Sequence, residues 1–145
     1  MQRKVRAAEY AALAEIRFRI RQFLHGSDAA AMAAGLEPQQ YQLLLALQAL
    51  PKEEAPSIRR LSELLFLKHH STVGLVDRLE ARGYVRRTRS ARDQRQVLVS
   101  ILPVGRSALE RVVRERLHEL RESGPSLIRA LTAVLAGSKG RSRRT

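Results

Sequence analysis

SIRRLSELLFLKHHSTVGLVDRLEARGYVRRTRSARDQRQVLVSIL, residues Ser57 to Leu102, changes its hydrophobic period partway along. Its first half repeats at helical spacing. Ile58, Leu61, Leu64 and Leu65 define one short helix ending near Phe66, with Ser57 as its N-cap. Leu67-Lys68 is a break. Thr72, Leu75, Val76 and Leu79 then define a second helix from about His69 to Arg82, and Gly83 is a natural C′ residue. After Tyr84 the pattern shortens and alternates. Tyr84–Arg89 and Gln96–Leu102 read as two strands of a hairpin, with a tip between them. Two helices joined by a tight break and followed by a hairpin form a winged helix-turn-helix, whose second helix enters the major groove of DNA.

Working outward, Leu13, Ile16, Ile20 and Phe23 recur at helical spacing and predict an amphipathic helix over Glu9–His25 that stops at Gly26. Ser27 or Asp28 is suited to cap a short alanine-rich turn reaching Gly35. Pro38 suits a helix start, and Gln39–Leu50 is apolar on nearly all sides, the mark of a central helix, with Pro51 closing it. On the other flank, Leu109, Val113, Leu117 and Leu120 predict a helix over Val104–Glu122. Gly124-Pro125 is expected to break it, and Leu127, Ile128, Leu131, Val134 and Leu135 fall on a last helix, Ser126–Ala136. The fold class expected is mainly α with a small β-hairpin wing (α+β). Residues 1–136 form a single domain, with a helical part over 8–50 and 104–136 and a DNA-binding lobe over 57–102. Residues 137–145 form a basic, disordered tail.

Composition narrows the function. Hydrophobic residues make up 44% of the 145, enough for a packed core, but only 4% are aromatic, so Leu, Val, Ile and Ala must build it. Net charge is +13, and such self-repulsion is relieved by a polyanion, nucleic acid before an anionic membrane. No apolar run is long enough to span a bilayer, and the N-terminus lacks the apolar core of a signal peptide, so the protein is expected in the cytoplasm. With no cysteine, thiolate metal sites and thiol redox sensing are excluded. His69 and His70 are adjacent, which places them about 100° apart on a helix and makes them poor chelators, so no metal is expected. No catalytic constellation or phosphate-binding loop is present, so neither enzyme activity nor a cofactor is expected.

The charge concentrates in the quoted stretch. Ser57–Arg95 holds ten basic and four acidic residues, and Val85–Gln96 alone holds five arginines. A solubilising surface would mix signs. The candidate DNA contacts are therefore Arg59, Arg60, Arg78, Arg82, Arg86, Arg87 and Arg89, suited to phosphates, with Arg92 and Arg95 at the tip, where a groove can be entered. His69, His70, Ser71 and Gly74 lie at the start of the second helix, where base edges or phosphates are met. Asp93 is either a turn residue or a brace for the arginines around it.

Taken together, LVDRLEARGYVRR, the DQR of the hairpin, the VLVS strand and the glycine-containing helix start after it resemble the MarR family of winged-helix transcriptional regulators. The match is close over Ser57–Glu110. The resemblance implies a homodimeric regulator, usually a repressor, on a pseudo-palindromic double-stranded operator. It implies that His69–Arg82 is the recognition helix, that Arg95 reaches a minor groove and that Asp93 braces the wing arginines. It also implies relief by a small, often anionic aromatic ligand. Lys68, Gly74 and Leu102 depart from the family's pattern. The flanking helices match in layout, which is where this family dimerises, and Leu13, Ile16, Ile20, Phe23, Leu127, Leu131 and Leu135 form an apolar area suited to a second copy. A non-specific architectural DNA-binding protein is the alternative.

Overall fold

The computed structural model describes residues 2–139. Five helices and one hairpin follow in order: α1 (Ala7–Ala33), α2 (Pro38–Ala49), α3 (Ile58–Leu65), α4 (His69–Ala81), β1 (Val85–Arg89), β2 (Val97–Ile101) and α5 (Pro103–Lys139). They distribute over two compact units, residues 28–114 and residues 2–27 with 115–139. The mainly α fold with a two-stranded wing is as expected.

The 28–114 unit has one apolar core. Leu43, Leu44 and Leu47 of α2, Leu61 of α3, Leu75, Val76 and Leu79 of α4, Val85 and Val99 of the hairpin, and Leu109 and Val112 of α5 are all buried in it. These are the helical and alternating positions that the sequence marks as apolar stripes. Ser57 caps α3 by accepting the Arg60 N–H at 3.1 Å. Lys68 stands at the N-cap of α4 without a side-chain cap bond, as a cation with no acceptor must. The strands pair antiparallel from Val85 opposite Ile101 to Arg89 opposite Val97. Gly105 packs so closely beneath the wing that a Cβ there would lie 2.3 Å from the Tyr84 carbonyl oxygen. That carbonyl also accepts the Leu102 N–H at 2.9 Å, which ties the end of β2 to the start of β1.

In the other unit, two expected breaks are absent. α1 runs straight through Gly26, with no separate alanine turn. Gly26 is there for proximity: a Cβ would meet the Arg116 guanidinium at 2.9 Å. Ser27 does not cap a new helix; its hydroxyl donates back to the Phe23 carbonyl at 3.0 Å. Likewise α5 continues through Pro125. Proline forfeits one backbone hydrogen bond, but Ala130, just beyond it, is buried, so continuing the helix keeps an apolar contact that breaking it would lose. The helix also takes in the first residues of the expected tail, through Lys139; the remainder of that tail lies outside the described residues.

Arg116 is the one buried cation among the described residues of this unit, 4% exposed. It pairs with Glu119, donates to the Phe23 carbonyl at 3.2 Å and lies over the Phe23 ring. Its Nε has no partner among the described residues. Of the expected dimer-interface residues, Leu13, Ile20, Leu131 and Leu135 are exposed, Phe23 and Leu127 are half-buried, and Ile16 is buried within the chain itself. Leu24, Leu117, Leu120 and Ile128 add to the exposed apolar area. No helix among the described residues is long and apolar enough to cross a membrane.

Candidate nucleic-acid interface

α4 divides sharply between its faces. Thr72, Leu75, Val76 and Leu79 are buried, whereas His69, His70 and Ser71 are exposed at its N-terminal end. With no side chain capping that end, first-turn N–H groups are left for an external acceptor, and the helix dipole favours an anion there. Gly74, in the same helix, is half-buried.

The wing stands beside this end. A groove is lined by Arg59 and Ile58 of α3, His69 and Val73 of α4, and Arg89, Arg95 and Val97 of the hairpin. The tip itself is held by short bonds. The Ser90 hydroxyl accepts the Arg92 and Asp93 N–H groups at 3.2 and 3.3 Å, and the Asp93 carboxylate accepts the Arg95 N–H at 3.0 Å. Among the described residues Asp93 makes no ion pair with a guanidinium. It sets the turn through the backbone, which corrects the expectation of a direct brace on the wing arginines.

The candidate cations fall into two groups. Arg60, Arg78, Arg82 and Arg87 are engaged internally. Arg60 meets Glu54 at 2.7 Å and Glu63 at 3.3 Å, and these carboxylates raise its pKa, Glu54 the more strongly. Arg78 reaches Glu37 at 3.4 Å. Arg82 donates to Gln40 at 3.2 Å and to the Tyr84 hydroxyl at 2.9 Å, and stacks on the Tyr84 ring at 4.5 Å. The like-charge pair Arg78 and Arg82 is thus relieved by separate partners.

Arg87 is the most constrained. Its guanidinium contacts Asp77 at 2.5 Å and Glu80 at 2.9 Å, while Glu80 also accepts its backbone N–H at 2.8 Å. That backbone bond, then the guanidinium, holds the Glu80 carboxyl below its ordinary value. Arg87 therefore joins the wing to α4, unlike Arg86 and Arg89, with which the sequence groups it as a phosphate contact.

The second group is free to meet a ligand. The guanidinium groups of Arg86, Arg92 and Arg95 are exposed and make no hydrogen bond or ion pair among the described residues. Arg59 is 83% exposed with a loose 3.6 Å approach to Glu63. Among the described residues Arg89 donates only to the Gln94 carbonyl, at 2.8 Å. The Asp77–Glu80–Arg87 clamp was not anticipated, although its signal is present: Val85 and Arg87 share a strand face, and Asp77 and Glu80 are three apart on the preceding helix.

A helix with an open, polar N-terminus, set beside an arginine-bearing hairpin, defines the winged helix-turn-helix class. Comparison with known proteins agrees. Residues 34–96 match the model of the MarR family. The HTH-type transcriptional regulator TtmR of Methylorubrum extorquens (strain PA1) is 39% identical over 66 residues, 46% of this chain and 34% of that protein. The chain thus matches about a third of that relative's length. AbsC, a MarR family transcriptional regulator from Streptomyces coelicolor, superposes with a TM-score of 0.72 at 17% identity, covering 97% of this chain and 100% of its own. A mutant of S. aureus MepR bound to an oligodeoxyribonucleotide superposes with a TM-score of 0.63 at 16% identity, covering 90% and 98%. Over residues 34–96 the chain is thus similar to the MarR family, and solved MarR family regulators share its fold.

Proposed function

We propose that the protein is a sequence-specific regulator of transcription that binds double-stranded DNA in the cytoplasm. It acts as a homodimeric repressor on a pseudo-palindromic operator. The observation that carries this reading is the sorting of the arginines. Those not used to hold the lobe together, Arg59, Arg86, Arg92 and Arg95, stand on α3 and on the wing that flank the uncapped end of α4. In this arrangement the exposed residues His69, His70 and Ser71 meet base edges or phosphates in the major groove. Arg92 and Arg95 enter the minor groove, which is most electronegative where A·T tracts narrow it. The MepR complex with DNA supports the same use of the fold.

The dimer follows from the apolar side chains of the other unit, where Leu13, Ile20, Leu131 and Leu135 are exposed. A two-fold pair would present two recognition helices to half-sites about one DNA turn apart. Relief by a small anionic aromatic ligand rests on the family resemblance.

Fluorescence anisotropy on duplex DNA tests the reading. With six to ten phosphate contacts, affinity falls about 10³- to 10⁵-fold between roughly 50 and 200 mM salt. Equal affinity for every sequence would instead mark a non-specific architectural protein.

A further inference from the structure

Phe66 stands in the turn of the helix-turn-helix, and the fold makes no use of its ring. It is 96% exposed, the most exposed large hydrophobic residue among the described residues. It is also the only non-glycine residue with positive φ, at φ 53°, ψ 37°, among the described residues. The left-handed conformation is demanded by the turn, where the Phe66 N–H closes α3 on the Glu63 and Ser62 carbonyls and the Leu67 N–H returns to Ser62. Glycine or asparagine meets that demand with least strain. A bulky aromatic residue meets it with strain, and then exposes its ring to water. Neighbouring Leu67 is half-buried and Leu64 is 39% exposed, so no apolar cluster shelters Phe66.

The surroundings indicate the occupant. Lys68, His69 and His70 follow after the single residue Leu67, and all three are exposed. Arg59 is a further exposed cation on α3. An apolar group in a cationic setting suits a polyanion that carries apolar groups of its own. In duplex DNA the apolar group facing the major groove is the thymine 5-methyl. We infer that Phe66 is a specificity-determining residue that packs on thymine methyl groups at the edge of the major groove entered by α4. This inference rests on the DNA-binding reading above. The ring displaces no counterion, so its contribution is independent of salt, unlike that of the arginines.

The test uses the full chain and a duplex selected by the wild-type protein from random sequence. Phe66→Gly and Phe66→Asn remove the ring yet suit the left-handed turn, so melting temperature holds or rises. Affinity is expected to fall roughly tenfold in both, with the slope of log K against log salt unchanged. Replacing thymine by uracil in the selected duplex is expected to weaken the wild type more than Phe66→Gly. Wild-type affinity in both variants, or an equal loss on methyl removal in wild type and Phe66→Gly, would overturn the inference and leave the ring to a protein partner. A changed salt slope would also overturn it, because the ring would then act by placing cations. If the wild-type protein selects and binds no duplex, the DNA-binding reading itself fails and this inference with it.

Discussion

Glu80 holds Arg87 at two points, accepting its backbone N–H at 2.8 Å and its guanidinium at 2.9 Å. The first bond fixes the strand and the second fixes the side chain, so the wing is tied to α4 at its first strand. With Asp77 on the same guanidinium, one arginine and two carboxylates join α4 to the wing. Removing Glu80 should therefore loosen the wing without touching any group proposed to meet DNA. Glu80→Ala is expected to lower both melting temperature and operator affinity, and Glu80→Gln, which keeps one of the two acceptor oxygens, to lower them less. Thermal unfolding and anisotropy titration of the pair check this.

The same contact has a pH signature. Glu80 is held below its ordinary value near 4.5 in the folded chain. A carboxyl so depressed binds fewer protons folded than unfolded, so its contribution is complete above the unfolded value and disappears as pH falls through the folded one. Melting curves of wild type and Glu80→Gln are expected to lie apart at about pH 7 and to approach each other as pH falls below the ordinary value of 4.5. A gap that stays constant through that range would assign the effect to packing.

Arg95 and Arg87 should separate cleanly. Arg95→Ala leaves melting temperature unchanged and weakens binding, most on sites with A·T-rich flanks. Arg87→Ala lowers melting temperature, because it leaves Asp77 and Glu80 facing each other without their cation. If both variants keep full stability, the division of the arginines into structural and free groups is wrong.

Gly105→Ala brings a Cβ to within 2.3 Å of the Tyr84 carbonyl oxygen, and backbone is the obstacle. The chain must shift where α5 meets the wing, at a cost of about 1–3 kcal/mol. Chemical denaturation gives the value; an unchanged midpoint contradicts the close approach.

Much of this architecture is legible in the sequence where its cause is local. The stripe of Leu75, Val76 and Leu79, the Ser57 cap and the alternation around Val99 each report their own element, and so the helix-turn-helix and wing were readable. The departures arise where the cause is distant. Gly26 reads as a stop, but what it serves is Arg116, ninety residues away in the chain. Pro125 reads as a break, but packing beyond it carries α5 onward. Arg87 looks like its neighbours until the face of β1 that meets α4 is known. Asp93 looks like a counter-charge because only the folded tip places its carboxylate on the Arg95 N–H. Phe66 reads only as the end of its helix, because neither its φ nor its exposure can be read from composition.

Self-association is checked through the unit that carries the exposed apolar residues. Leu131 is 49% exposed, so Leu131→Lys should leave the melting transition of the protomer cooperative. Sedimentation is expected to change from dimer to monomer, with binding to a two-half-site duplex weakened. A monomeric wild type would remove the two-fold reading.

The most direct measurement is selection of duplexes from a random pool by the purified protein, followed by sequencing. The account predicts enrichment of an inverted repeat with half-sites about one helical turn apart and A·T-rich positions beside them. A pool that binds but shows no enriched sequence would contradict it.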